Sequence, residues 1–455
     1  MNKKENKISK EIKINKKLAR RNYSNQTGIT LIALVVTIVV LLILAGVSIN
    51  ALFSENGIIK RAQDAQNKMN NAQESDLNAL NDLDKWINNQ VNGTTGGNTT
   101  GGNDNPSTTP KISTLVGKVV DKNTKAEDAY GNKITIPKGF KILEHNPTSS
   151  TGAVTYNYTN LEETGEHIPA VQDGIVIEDT QTGTAGNQFV WVPVGTIKNK
   201  NGSTNTITLG RYEFDSSTGA LKSTTPAQVA SVENCTKIVT ISKGGTDYQE
   251  LSTFREGNSA TNSTAQNATA RNLEEFISTT LANGGYYIAR FEASGTASKI
   301  ASKYNQTVLG NITQPNAAKV AREMYGEVKE NNELVYASDL VNSYAWDTAI
   351  VFIQTYSGKT DYASHNGSIT TKAFTATGKN NDKYCNIWDM SGNAYEWTTE
   401  YSTSSHNSNF YPCVRRGGYY DTDSGVAINY TSARSYNNTT YSLSIVSLRS
   451  LLYVK

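Results

Sequence analysis

Asn386–Trp397 reads NIWDMSGNAYEW. Its Ser-Gly-Asn centre, Ser391 to Asn393, is turn chemistry, and aromatic and apolar residues stand on both sides. A turn feeding a half-buried strand follows, with Trp388 and Trp397 expected in the core. Asp389 and Glu396 bracket two backbone carbonyls here. They come nearest to a chemical constellation anywhere in the chain, since no GxSxG, HExxH or Walker loop occurs.

Working outward, short apolar runs alternate with Gly/Asn/Thr-rich turns: Lys133–Pro137, Gly174–Ile177, Phe189–Val194 (FVWVPV), Lys237–Ile241 and Tyr286–Phe291 (YYIARF). These read as strands. Helical spacing marks Arg271–Leu281, Leu340–Tyr356 and Asn316–Met324. The expectation is an α+β fold with long loops, β-rich over 111–184 and again over 185–455.

In chain order, FVWVPV, Tyr286–Glu292 (YYIARFE), Tyr344–Ala349 (YAWDTA), NIWDMSGNAYEW, Arg416–Tyr419 (RGGY), Ala433–Ser435 (ARS) and Leu448–Arg449 form a succession. It resembles the formylglycine-generating enzyme, or sulfatase-modifying-factor, family over about residues 185–455. The resemblance implies a C-type-lectin-like fold. It also implies a calcium ion held by Asp389, by the carbonyls of Gly392 and Ala394, and by Glu396; hard oxygen donors suit that ion. The family's oxidase binds copper through a cysteine pair near the C-terminus. The corresponding segment here, Ala427–Ser435, contains no cysteine, and Cys385 and Cys413 lie outside it. Neither copper nor oxidase catalysis is therefore expected, and the alternative is an enzyme of that class with a displaced site. A Cys385–Cys413 bridge is open to the chain in an oxidising exterior.

Between Tyr401 and Val454 there is no Lys, Glu, Gln, Met or Trp, while Tyr, Asn, Ser, Thr and Asp crowd in. This is the composition of adaptable recognition surfaces. It resembles the variable region of proteins diversified by retroelements, which use the same lectin-like fold. Tyr419, Tyr420, Asp421, Asn429, Tyr430, Tyr436, Asn437, Asn438 and Tyr441 are the expected contacts to a protein or glycan ligand. The competing expectation is that these tyrosines pack on the β-core.

The chain's other end is different. Residues 1–28 carry nine Lys/Arg and two Glu, whereas the remainder is net negative at −5. That balance argues against a nucleic-acid partner. No charge occurs from Asn22 to Ser54, and Ile29–Ile49 as a helix would be about 31 Å long, enough to cross a bilayer. Basic residues on its N-terminal side predict a single pass with the C-terminal part outside the cell. The basic leader ending at Gly28, followed by Ile29 and an apolar run, resembles the type IV pilin N-terminus. That implies prepilin-peptidase cleavage between Gly28 and Ile29, methylation of Ile29, pilus or pseudopilus partners, and display at a bacterial surface or pilus tip. The family's usual Glu at the fifth mature position is Ala33 here, which argues against a major fibre subunit. Residues 29–90 are expected to form an anchor and stalk helix. Residues 91–110 (VNGTTGGNTTGGNDNPSTTP) are expected to form a flexible linker. The sum is a tethered, non-catalytic binding head; a minor pilin whose head has no ligand is the remaining alternative.

Overall fold

The structure, a computed structural model, describes residues 35, 36, 39 and 109–455, except 144–169, 236, 238, 251–267, 332, 368–372, 381, 407–408 and 422–429. The leader, the cleavage pair Gly28 and Ile29, the stalk over 55–90 and nearly all of the linker lie outside these residues. The chain divides into two units, Met1–Asp104 and Asn105–Lys455. In the first unit, Val35, Val36 and Val39 are helical and exposed. The expected single-pass membrane placement is corrected: among the described residues, no helix is long and apolar enough to cross a membrane.

The second unit is β-rich, built on two sheets. The first has seven strands: β1 (Phe140–Ile142), β2 (Val176–Asp179), β3 (Gln188–Pro193), β6 (Gly285–Ala289), β7 (Glu327–Glu330), β8 (Glu333–Leu340) and β13 (Ser450–Val454), in the order β7-β8-β13-β6-β3-β2-β1. Every pairing in it is antiparallel. The strand at the C-terminus thus sits inside the sheet, with Leu451 opposite Ile288 on β6 and Asp339 on β8. The sheet runs across residue 184, because 111–184 supplies β1 and β2. Val190, Val192, Tyr286, Ile288, Leu451 and Tyr453 face one hydrophobic core, while Phe189, Trp191, Tyr287, Ala289 and Leu452 face another. Both faces are covered, which is why YYIARF and FVWVPV read as nearly unbroken apolar runs.

The second sheet orders β4 (Ile241–Lys243), β5 (Thr246–Gln249), β9 (Tyr395–Ser402), β10 (Cys413–Arg416) and β11 (Arg434–Asn437), with β12 (Val446–Leu448) parallel to β9. The expected strand Lys237–Ile241 forms further along, at β4. The Gly244–Gly245 pair, both at positive φ, turns the chain there and sets the hairpin.

Among the described residues of this unit, three helices of ten or more residues flank the sheets, besides a single turn at Ile112–Leu115. α1 (Leu273–Asn283) is capped by the Asn272 side chain and ended by left-handed Gly284. α2 (Gln314–Glu323) is capped by Thr313 with Pro315 in its first turn. α3 (Ser343–Tyr356), expected from Leu340, starts at Ser343 because Leu340 is still paired with Ser450 and Asn342 caps the helix.

Candidate functional site

The NIWDMSGNAYEW stretch forms a tightly held turn leading into β9. Cys385, Asn386, Asp389 and Asn393 all have φ between 45° and 64°, a left-handed conformation that costs most L-residues. Side-chain bonds hold it. Asn386 Nδ2 donates to the carbonyls of Asp173 (2.8 Å) and Gly174 (2.9 Å). Asn393 Nδ2 donates to Glu292 and to Thr375 O, while Thr375 N donates back to Asn393 Oδ1 at 2.8 Å. Ala394 N donates to Glu292 Oε1 at 2.9 Å, and Ser391 N to Asp382 Oδ2 at 2.9 Å. Trp397 Nε1 reaches Ile312 O at 2.8 Å.

Glu396 directs both carboxylate oxygens at Arg449, at 2.9 and 2.6 Å. Arg449 also donates to the carbonyls of Ala289, Trp388 and Asp389, tying the turn to the first sheet. Asp389 is fully buried, and among the described residues no side chain donates to its carboxylate, which faces the Gly378 backbone N–H. Burial, reinforced by the charge of Asp382, pushes its pKa up to about 8. Glu292 is raised well above its ordinary value by burial and by Asp389. Among the described residues, no group of three or more His, Cys, Asp or Glu is placed to hold a metal ion.

Register across β9 and β10 then sets one face of the sheet, which is buried along both strands and packs on the hydrophobic core, with Tyr419 and Tyr441 at its edge. Trp397 pairs with Arg415, and Arg415 with Ser435 on β11, so these residues share one face of the sheet. Arg415 lies 4.2 Å from the Tyr395 ring centre and 5.1 Å from that of Tyr441, with Nη1 3.1 Å from the Tyr441 hydroxyl. Tyr395 meets Tyr419 at 5.0 Å, Tyr419 meets Tyr420 at 5.4 Å, and Tyr420 meets Phe374 at 5.6 Å. Trp397 lies edge-on to Tyr441 at 6.2 Å. The rings form one row, half-buried at Tyr419, Tyr420, Tyr441 and Phe374. The RGG motif makes room for it: Gly417 has φ +89°, and a Cβ there would stand 2.7 Å from Met390 O.

The expected contact residues therefore divide. Tyr419, Tyr420 and Tyr441 join the row. Asp421 is half-buried beside it in sequence. Tyr436 lies on the other face of β11, near Tyr411 at 6.2 Å, while Asn437 pairs with Cys413 and Asn438 holds its own turn by accepting from Thr440. Tyr430 is only 9% exposed and packs against Lys243, and Asn429 lies outside the described residues. Sequence reading missed Tyr395, Arg415 and Phe374. The strand parity after Gly392 was the available signal for Tyr395; nothing local marked the other two.

On the opposite face, Arg416 and Arg434 meet Asp347 at 2.6 and 2.8 Å and Glu400 at 3.3 and 3.0 Å, and Arg211 joins Glu400 at 2.8 Å. Burial alone would raise Glu400, but Arg434, Arg416 and Arg211 hold it at about 2. The three cysteines are free, so the Cys385–Cys413 bridge does not form. Burial pushes all three thiols up.

No family model matches the chain, and no curated protein matches it. Among solved structures, CarF is similar at 13% identity and a TM-score of 0.27, covering 38% of this chain and 87% of its own. Treponema denticola variable protein 1 is similar at 11% identity and 0.25, covering 48% and 99%. The P3c variant of Major Tropism Determinant is similar at 12% identity and 0.26, covering 76% and 98%. At TM-scores this low the likenesses carry no argument about this chain.

Proposed function

We propose that residues 105–455 form a C-type-lectin-like, non-catalytic recognition head that binds an exposed protein or glycan through the aromatic row. The observation that carries this reading is the continuous series Phe374–Tyr420–Tyr419–Tyr395–Arg415–Tyr441. Rigid rings that touch one another lose little conformational freedom on binding. Buried Arg415 and Tyr395 brace the row from beneath, and its half-buried rings Phe374, Tyr420, Tyr419 and Tyr441 are the part a ligand would meet. Sugar rings stack on such faces, and tyrosine hydroxyls supply hydrogen bonds. The composition of 401–454 supports the further reading that this segment is diversified for binding.

Against oxidase chemistry, burial holds the thiols in their unreactive protonated form, and Cys413 packs against Gln314 rather than at a surface. A glycan array with the full chain tests the proposal. Binding is expected, and Tyr419→Ala/Tyr441→Ala is expected to weaken it by about tenfold or more, as for anchors at an interface centre. Unchanged binding by the double variant overturns it, as does copper-dependent oxygen consumption with a cysteine-containing peptide.

Calcium belongs to the same reading. Asp389 offers a carboxylate that no side chain engages, which suits a hard cation together with the Gly392 and Ala394 carbonyls, whereas Glu396 would join only by leaving Arg449. Millimolar calcium is expected to raise the melting temperature by a few degrees, an effect lost in Asp389→Ala. Identical melting in calcium and in chelator removes the ion from the reading.

A further inference from the structure

A cavity of about 230 Å³ opens between the β4–β5 hairpin, the Glu213–Ser216 segment and the start of β11. Lys222, Lys243, Arg434, Ser216, Ser242 and Ser432 line it, with Glu213 and Asp215 at its side. Its charges do not balance. Below it, three guanidiniums (Arg211, Arg416 and Arg434) share two carboxylates, Asp347 and Glu400. A fourth cation, Lys243, has no carboxylate within ion-pair distance among the described residues; its ammonium donates to the Tyr430 hydroxyl and lies 4.6 Å from that ring's centre.

Two further carboxylates, Glu213 and Asp215, line the cavity itself. Glu213 pairs with Lys222 at 3.4 Å. Asp215 Oδ1 accepts four bonds from Ser217 and Thr218. Glu250, the next one along, is bonded to Ser343 and Thr399. Asp215 keeps its negative charge on the wall, so one positive charge remains in excess around a partly desolvated cavity whose wall also carries the Ser432 hydroxyl.

We propose that this cavity binds a small oxyanion, a carboxylate or phosphate group borne by a ligand. The site stands apart from the aromatic row: Arg434 and Arg416 alternate with Ser435 and Arg415, and so face the other side of the sheet. An oxyanion there supplies the missing charge and accepts a charge-assisted hydrogen bond from Lys243, with the Ser432 hydroxyl on the same wall; the Ser242 hydroxyl is engaged by Asp247. The chemistry of Lys243 agrees. Burial, together with the charges of Arg434 and Arg416, lowers its amine to about 8, and a bound anion would raise it again.

Calorimetric titration of the full chain with inorganic phosphate and, separately, with glucuronate tests the site. Saturable binding of at least one is expected at constant ionic strength. Whichever binds tells a phosphate source from an acidic sugar. Above pH 8, binding is expected to take up protons, read from the dependence of the heat on buffer. Lys243→Gln is expected to weaken binding about tenfold, while Lys243→Arg retains it and Lys329→Gln, an equal loss of charge on β7, leaves it unchanged. If neither anion saturates the wild-type chain, or if Lys243→Gln and Lys329→Gln bind alike, the proposal fails.

Discussion

Replacing Glu400 with alanine is expected to cost about 3–5 kcal/mol of stability, measured by urea unfolding at pH 7. Glu400 is fully buried and accepts from Arg211, Arg416 and Arg434 at once. Its removal leaves three buried guanidiniums with Asp347 alone, and an uncompensated buried charge costs far more than a lost surface pair. A second effect separates this from simple loss of packing. The folded Glu400 titrates near 2 and its ordinary value is 4.5, so its ionised form stabilises the protein fully above about 4.5. That contribution is lost as the pH falls through about 2. The gap between wild type and Glu400→Gln, which keeps the volume, is therefore expected to shrink as the pH falls below about 4.5 and to close near pH 2. A gap that stays constant from pH 7 to pH 2 would show that shape, not charge, is what Glu400 supplies.

This cluster also explains what could be read from the chain and what could not. Helices were legible because their signals are local: the apolar spacing of α1 sits between a capping Asn272 and a terminating Gly284. The NIWDMSGNAYEW turn was legible as a turn because its polar residues cluster. Its left-handed Asn393 and the close approach behind Gly417 show why those residue types stand there. The ionic cluster had no such signature. Arg211, Asp347, Glu400, Arg416 and Arg434 come from five separate places and meet only when β9, β10 and β11 pair over α3. Glu396 was expected as a calcium ligand, and its oxygens face an arginine fifty-three residues away in sequence.

The aromatic row shows the same limit. Composition singled out the tyrosines of the last fifty residues, but not which of them share a face. That choice is made by register: the pairing of Arg415 with Trp397 and Ser435 carries Tyr441 and Tyr419 to one side. The β11 register sends Tyr436 to the other side, where Arg434 also lies. A one-residue slip would exchange the two sets between two buried faces, setting the guanidiniums against the hydrophobic core and the rings among the buried charges. The buried salt cluster penalises that slip heavily. It therefore acts as a register lock for the opposite face of the sheet.

Glu250 makes the second large prediction, with the opposite pH sense. It is fully buried beside the second sheet and accepts from Ser343 N, Ser343 Oγ and Thr399 Oγ1 at 2.6–2.7 Å. Burial outweighs those bonds, and the charge of Glu400 adds to it, so the carboxyl is pushed up from its ordinary 4.5 to about 7. Between these values the folded protein binds a proton that the unfolded chain does not. The associated stability is present in full below about 4.5 and is lost as the pH rises through about 7, in total roughly 3 kcal/mol by pH 8. Glu250→Gln stays neutral throughout, so wild type is expected to lose stability relative to this variant from pH 5 to pH 8. Comparing the two removes the contribution of other buried acids such as Glu292, which titrate in both proteins. Urea unfolding at several pH values checks it. Parallel curves for the two proteins would mean that Glu250 is ionised in the fold, its charge balanced by the surplus guanidinium next to Glu400.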